Sequence, residues 1–245
     1  MEVEENKERQ IDRYGWFTKD SECEAESPQL VLEESETERE REAKWIEMLG
    51  LLHDNFDQIR NVITRRVKKG IPDAIRSRAW YEITMFGTMK EYGEDFLDID
   101  FGELLQRPPN AFYTTIDKDV HRSFPQVYFF KTPLFLESLK DILYAYSQYD
   151  MEVGYTQGMN FLAGMLLTYM DKEQAFKVFV SIVNGPFIMH KGFLIPGFPR
   201  LEVANKLLLT IIHKKYPHVE AALKAHGIFP EMYTPGWFIS AFQGY

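Results

Sequence analysis

The chain has 245 residues, 45% of them hydrophobic and 15% aromatic, enough for one sizeable core and unlike a disordered composition. Its net charge of −9 sits at the front: residues 1–44 carry 15 acidic and 7 basic side chains, and the remaining 22 acids and 21 bases nearly cancel. A near-neutral body with no basic stripe argues against sequence-independent binding of nucleic acid, and the lone cysteine, Cys23, against a disulfide framework or a cysteine zinc site.

Residues 1–35 read as an acidic, largely disordered tail with one apolar island, "RYGWF" at 13–17, which either folds back on the domain or serves as a docking peptide. The single cysteine reads as that of an intracellular chain, and the opening, "MEVEENKERQ", does not read as a signal peptide. A helical extension is expected over 36–69. "ETEREREAKWIEML" puts Trp45, Met48 and Leu49 on one stripe, and after Gly50 the residues Leu52, Phe56, Ile59 and Ile63 recur at helical spacing up to Gly70. "RRVKK" at 65–69 suits the dipole of a helix end, with anionic lipid or nucleic acid as the other reading.

Pro72 and Asp73 open the next helix, with Ile75, Ala79, Ile83 and Phe86 inward and Gly87 as the expected stop. "RPPN" at 107–110 is a turn. In "IDKDVHRSFP", Thr114 and Asp117 have a capping spacing that predicts a helix from about Thr115, with Ile116, Val120 and Phe124 buried and Pro125 ending it. Helices are also expected from Pro133, through "TQGMNFLAGMLLTYM", after Asp171 with Gln174 as capping box, and over "RLEVANKLLLTIIHKKY" and "VEAALKAHG". No segment has a convincing period of two, so the fold class is all-α. The longest apolar run, "FLAGMLLTYM" at 161–170, is about half the length that spans a bilayer.

Chemical signatures are sparse. There is no phosphate-cradling glycine loop after a strand, no H-E-x-x-H and no G-x-S-x-G, and the six histidines are scattered singly. Three clusters remain. Arg76 and Trp80 lie four apart on one helix face, a structural pair or one that takes part directly in chemistry. Asp119 and Arg122 lie three apart, an ordinary surface ion pair or an arginine aimed outward by its carboxylate. Gly154 and Gly158 flank Tyr155 and Gln157 where a loop enters a helix; such a glutamine is a solvated helix-start residue or one able to orient water.

Together, R-x-x-x-W at 76–80, I-x-x-D-x-x-R at 116–122 and Y-x-Q at 155–157, in that order and flanked by "KGIP", "YTQGMN" and "PGWF", resemble the TBC domain of Rab GTPase-activating proteins over residues 70–245. The resemblance implies a two-lobed all-α domain with two catalytic groups supplied in trans. Arg122 would be an arginine finger on the β- and γ-phosphate oxygens, and Gln157 a glutamine finger positioning water. Asp119 would hold the arginine, and Arg76, Trp80 and Tyr155 would shape the groove floor that receives the Rab GTPase.

The resemblance further implies no cofactor or metal of the chain's own, GTP and Mg²⁺ being carried by the partner, no nucleic-acid partner, and membrane contact only through the GTPase. The expected setting is cytoplasmic, transiently peripheral on endomembranes, in vesicle trafficking. The family pattern continues past Trp237, Phe238 and Phe242, so the C-terminal lobe is expected to be incomplete. That leaves a Rab-binding or scaffold module of weak activity as the alternative to an activator, and a plain helical adaptor as a third reading.

Overall fold

The computed structural model describes residues 28–125, 127–185 and 191–241. The "RYGWF" island, Cys23, His190 and Phe242 lie outside them. Among the described residues the chain is all-α: eleven α-helices and four short 3₁₀ turns, with no β-strand. The described residues belong to two compact units, one of those up to 87 with those between 124 and 135, the other of 88–123 with those from 136 onward.

The first unit begins with α1 (Pro28–Gly50), α2 (Leu52–Val67) and most of α3 (Asp73–Tyr92). Helix α1 starts earlier than the expected Glu36, with Pro28 at its first position, where the missing N–H of proline is no loss. The helical stripes converge as their spacing predicts. Trp45, Met48 and Leu49 join Leu52, Ile63, Ile71, Ile75 and Ala79 in one core, with Phe56, Ile59, Trp80, Ile83 and Phe86 packed against it. Arg41 ties α1 to the end of α2, its Nη2 donating to the carbonyls of Lys69 (3.2 Å) and Gly70 (3.1 Å). Arg66 donates likewise to the carbonyl of Lys44, so one member of "RRVKK" is engaged in joining helices.

Gly87 does not end α3. The helix runs through it to Tyr92 and stops at Gly93, whose φ of +88° an L side chain rarely adopts. A mid-helix glycine costs about 1 kcal/mol relative to alanine, and the helix runs on through it with Met85 and Thr88 buried on either side.

The second unit carries α4 (Phe101–Gln106), which the sequence reading missed, then α5 (Tyr113–Val120), α6 (Pro133–Tyr149), α7 (Met159–Leu167), α8 (Lys172–Asn184), α9 (Pro199–Lys215), α10 (Pro217–Ala225) and α11 (Thr234–Ile239). Helix α4 is one short turn and a half, capped by Asp100, whose Oδ1 accepts from the Glu103 N–H at 2.9 Å. Six residues are too few to show a period. The unit's core is built from Ile116 and Val120 of α5, Leu139, Ile142, Leu143 and Tyr146 of α6, and Phe176 and Phe179 of α8. Asp171 caps α8 as expected, Oδ1 accepting from the N–H groups of Glu173 (3.0 Å) and Gln174 (2.9 Å).

Helix α5 differs from its expected form at both ends. It begins at Tyr113 without a side-chain cap. The Thr114–Asp117 box does not form because Asp117 accepts instead from the Tyr144 hydroxyl (2.6 Å) and the Lys140 ammonium (2.7 Å), both on α6. Asn110 organises the entry: its Oδ1 accepts from the Phe112 N–H (3.0 Å) while its Nδ2 donates to Ser147 Oγ (3.0 Å). At the far end the helix stops at Val120, before Pro125, and Phe124 has a φ of +39°. A left-handed residue breaks the helix ahead of the proline, so Phe124 does not extend the buried stripe of α5. Among the described residues no helix is long and apolar enough to cross a membrane.

Candidate functional site

Helix α5 is held rigidly against α6. The Tyr113 and Tyr144 rings stack at 3.8 Å with an interplanar angle of 1°, and the Asp117 bonds lie one turn on. Burial and the hydrogen bond to Asp117 raise the Tyr144 pKa, keeping its hydroxyl a donor. The C-terminal end of α5 thereby becomes a fixed mount for Asp119 and Arg122.

At that mount Asp119 is buried, its side chain 5% exposed, while Arg122 is 58% exposed. Asp119 Oδ1 accepts from Arg122 Nε (2.9 Å) and Nη2 (2.6 Å). Its other oxygen, Oδ2, accepts from the Tyr155 hydroxyl at 2.8 Å. One carboxylate thus joins the arginine to the Y-x-Q loop, 36 residues away along the chain. Burial, the bond to Asp119 and its charge push the Tyr155 hydroxyl well above the ordinary tyrosine range, so it stays protonated and donating. Arg122 keeps Nη1 and part of Nη2 for an anion arriving from solvent.

The loop that carries Tyr155 and Gln157 is fixed at several points. Asp150 starts it: Oδ1 accepts from the Val153 N–H (3.3 Å), and Oδ2 accepts from Asn184 Nδ2 (2.5 Å) and from Lys191 Nζ (2.7 Å). Burial alone would raise the Asp150 pKa. The bonds from Lys191, Val153 and Asn184 outweigh it and leave the carboxyl below its usual value.

Gly154 follows at φ +59°, with the Phe112 ring so close that an added Cβ would meet it at 2.1 Å. Thr156 Oγ1 donates to the Leu194 carbonyl at 2.8 Å. Gly158, at φ +111°, turns the chain into α7, and a Cβ there would meet Ile239 Cγ2 at 2.8 Å. Between these anchored glycines Gln157 is exposed, and its amide makes no hydrogen bond among the described residues. Beside it opens a cavity of about 570 Å³, lined by Gln157, Phe161, Phe198, Leu201, Pro235 and Ile239 among others.

Two residues that sequence reasoning did not single out complete the site. Asn160, buried on the first turn of α7, donates through Nδ2 to Ser123 Oγ (2.7 Å), and its Oδ1 accepts from the Gly158 N–H (3.1 Å) and the Tyr155 hydroxyl (3.3 Å). Ser123 in turn donates to the Asp119 carbonyl at 2.8 Å. Asn160 lies in the quoted "YTQGMN", two residues past Gly158, but no spacing in the sequence marks its partners.

Asp119, Arg122, Tyr155 and Gln157 therefore belong to one arrangement within the second unit. Tyr155 holds Asp119 there, a more specific position than the groove floor expected of it. Arg76 and Trp80 lie in the first unit. Arg76 pairs with Asp73 and donates to the Ile71 carbonyl at 2.8 Å, and Trp80 packs on the core around Trp45. No group of three potential metal ligands occurs among the described residues.

The second unit is thus an all-α body that presents a carboxylate-held arginine and an exposed loop glutamine. The family model described as the Rab-GTPase-TBC domain matches residues 73–244, and the chain belongs to that family. "TBC1 domain family member whacked" of Drosophila melanogaster is 30% identical over 210 residues, which cover 82% of this chain and 54% of that protein. "Rab GTPase-activating protein tbc-11" of Caenorhabditis elegans is 31% identical over 230 residues, covering 92% of this chain and 24% of that protein. The chain thus spans about half the first relative's length and about a quarter of the second's.

Two solved structures share the fold. The Chlamydomonas flagellar RabGAP TBC domain superposes with a TM-score of 0.63 at 20% identity, covering 95% of this chain and 75% of that one. The Ypt/Rab-GAP domain of Gyp1p superposes with a TM-score of 0.65 at 14% identity, covering 83% of this chain and 74% of that one.

Proposed function

We propose that this domain accelerates GTP hydrolysis by a Rab-family GTPase, with Arg122 and Gln157 supplied in trans. The observation that carries the reading is the shared anchor: the Asp119 carboxylate holds the exposed Arg122 through one oxygen and the Y-x-Q loop through the other. Phosphoryl transfer to water asks for charge stabilisation and positioning more than for covalent chemistry. The Arg122 guanidinium meets the first need, because its planar fork reaches two phosphate oxygens at once. The Gln157 amide meets the second, accepting from the attacking water while donating to the γ-phosphate or the GTPase backbone.

GTP and Mg²⁺ arrive with the GTPase, so the domain needs no cofactor of its own. Contact with a membrane comes through the anchored GTPase, at the membranes of vesicle traffic. Single-turnover hydrolysis across a panel of GTP-loaded Rab proteins, with and without the chain, tests the reading. Acceleration by the wild-type chain that disappears when Arg122 and Gln157 are both replaced by alanine is the expected result. Equal acceleration by that double variant would sink the two-finger mechanism, and binding of GTP-loaded Rab without acceleration would make the chain a binding module.

A further inference from the structure

We propose that Asn160, acting with Ser123, is the positioning residue that sets Arg122 and Gln157 in register with each other. The inference rests on the proposed two-finger reading and assigns a role to residues outside its three motifs. Asn160 is 1% exposed and Ser123 2%, so neither can touch a GTPase or its nucleotide. Their contacts run along both fingers' supports.

On one side, Asn160 Nδ2 donates to Ser123 Oγ (2.7 Å), and Ser123 donates to the Asp119 carbonyl (2.8 Å), closing the last turn beneath Arg122. On the other, Asn160 Oδ1 accepts from the N–H of Gly158, the residue after Gln157, at 3.1 Å, and from the Tyr155 hydroxyl at 3.3 Å. Tyr155 has a single hydroxyl proton, given chiefly to Asp119 Oδ2 at 2.8 Å and shared with Asn160 Oδ1. The bonds form a closed ring, Asp119 to Tyr155 to Asn160 to Ser123 and back, with one finger attached on each side.

The amide suits this place because it offers a donor and an acceptor on one short, stiff group. Aspartate would put a second carboxylate beside the buried Asp119, and alanine would leave the Gly158 N–H without its acceptor and Ser123 Oγ without the donor that orients it, in a dry site. A displacement of about 1 Å in a positioned catalytic group can cost on the order of 10²-fold in rate. The ring therefore acts on the turnover step, because the surface that meets the GTPase is untouched.

The test compares wild type with Asn160→Ala, Ser123→Ala and Ser123→Thr, each confirmed folded by its circular dichroism and melting curve. Two quantities are read: the maximal stimulated rate and half-saturating concentration on a GTP-loaded Rab substrate, and the ¹⁵N order of the Arg122 Nε–H in the free protein. Both alanine variants should lose about 10- to 100-fold in maximal rate, with half-saturation within about twofold and a lowered Arg122 Nε–H order. Ser123→Thr, which keeps the hydroxyl, should retain the rate and the order.

Folded alanine variants that keep the maximal rate and the Arg122 order overturn the proposal, as does a loss expressed only in half-saturation or a folded Ser123→Thr that falls as far as Ser123→Ala. Should Asn160→Ala fail to fold, the Ser123 pair decides. Should the wild-type chain accelerate no GTPase, the function proposed above falls, and the Arg122 order alone then supports or overturns the ring.

Discussion

Replacing Arg122 by alanine should remove most of the stimulated rate, up to the roughly 10³–10⁵-fold that arginine fingers contribute. Arg122→Lys should recover little, because a point charge cannot use the Nε/Nη2 edge that Asp119 grips while spanning two phosphate oxygens. Gln157→Ala should cost a comparable share of turnover while GTPase binding survives, since Gln157 is exposed and supports no other described residue. A Rab protein whose own switch glutamine is changed to alanine should remain a substrate, as Gln157 would replace that function. Rate measurements on the four combinations of wild-type and altered partners check this; a switch-glutamine variant that the chain cannot stimulate counts against Gln157.

At this scale the sequence was informative where the chemistry is written in spacing. An aspartate three residues before an arginine at a helix end can pair with it, and the pair is there. Asn160 and Ser123 were not legible, since their partners lie 37 residues apart and neither carries a charge or a period.

Gly154 and Gly158 shape the Y-x-Q loop, and the first of them defines a prediction for that element. Gly154→Ala forces a side chain into a left-handed backbone and into the Phe112 ring. The cost should be about 1–3 kcal/mol or more, seen as a lower denaturation midpoint; an unchanged midpoint would show that Phe112 moves aside freely.

Asp150, at the loop's start, gives a pH signature. Its folded pKa is depressed, so its contribution to stability is fully present above the ordinary carboxyl value of 3.8 and is lost as the pH falls through the lower folded value. Melting temperature against pH should therefore fall less steeply below about pH 4 for Asp150→Asn than for wild type. Parallel acid limbs would remove Asp150 from the account. The depressed pKa depends on Lys191 and Asn184, distant in sequence, which is why the loop's glycines could be read from the sequence and its anchor could not.

For the whole molecule, the all-α class followed from the helical period of nearly every apolar stripe, and apart from Ile71 the buried core of the first unit consists of residues those stripes nominated, with Phe56, Ile59, Ile83 and Phe86 packed half-buried against it. Helix limits were harder. Gly87 and Pro125 are strong local stop signals, yet α3 runs through the first to Gly93, at a positive φ, and a left-handed Phe124 pre-empted the second. Short α4 lacked the length to show a period. Far-ultraviolet circular dichroism should show a helix-dominated spectrum.

The hydrogen-bonded ring also sets an order of events in time. Helices α5 and α7 can each form from contacts a few residues apart, but Asp119 meets Tyr155, and Ser123 meets Asn160, across a span whose closure costs chain entropy that local contacts do not repay. After a jump out of denaturant, ellipticity should recover first and the capacity to stimulate hydrolysis should lag behind it. Simultaneous recovery of the two signals would mean that the span closes with the helices. If the lag is found, a chain emerging from synthesis acquires its helices before it can act on a GTPase, and competence arrives only with the last long-range closure.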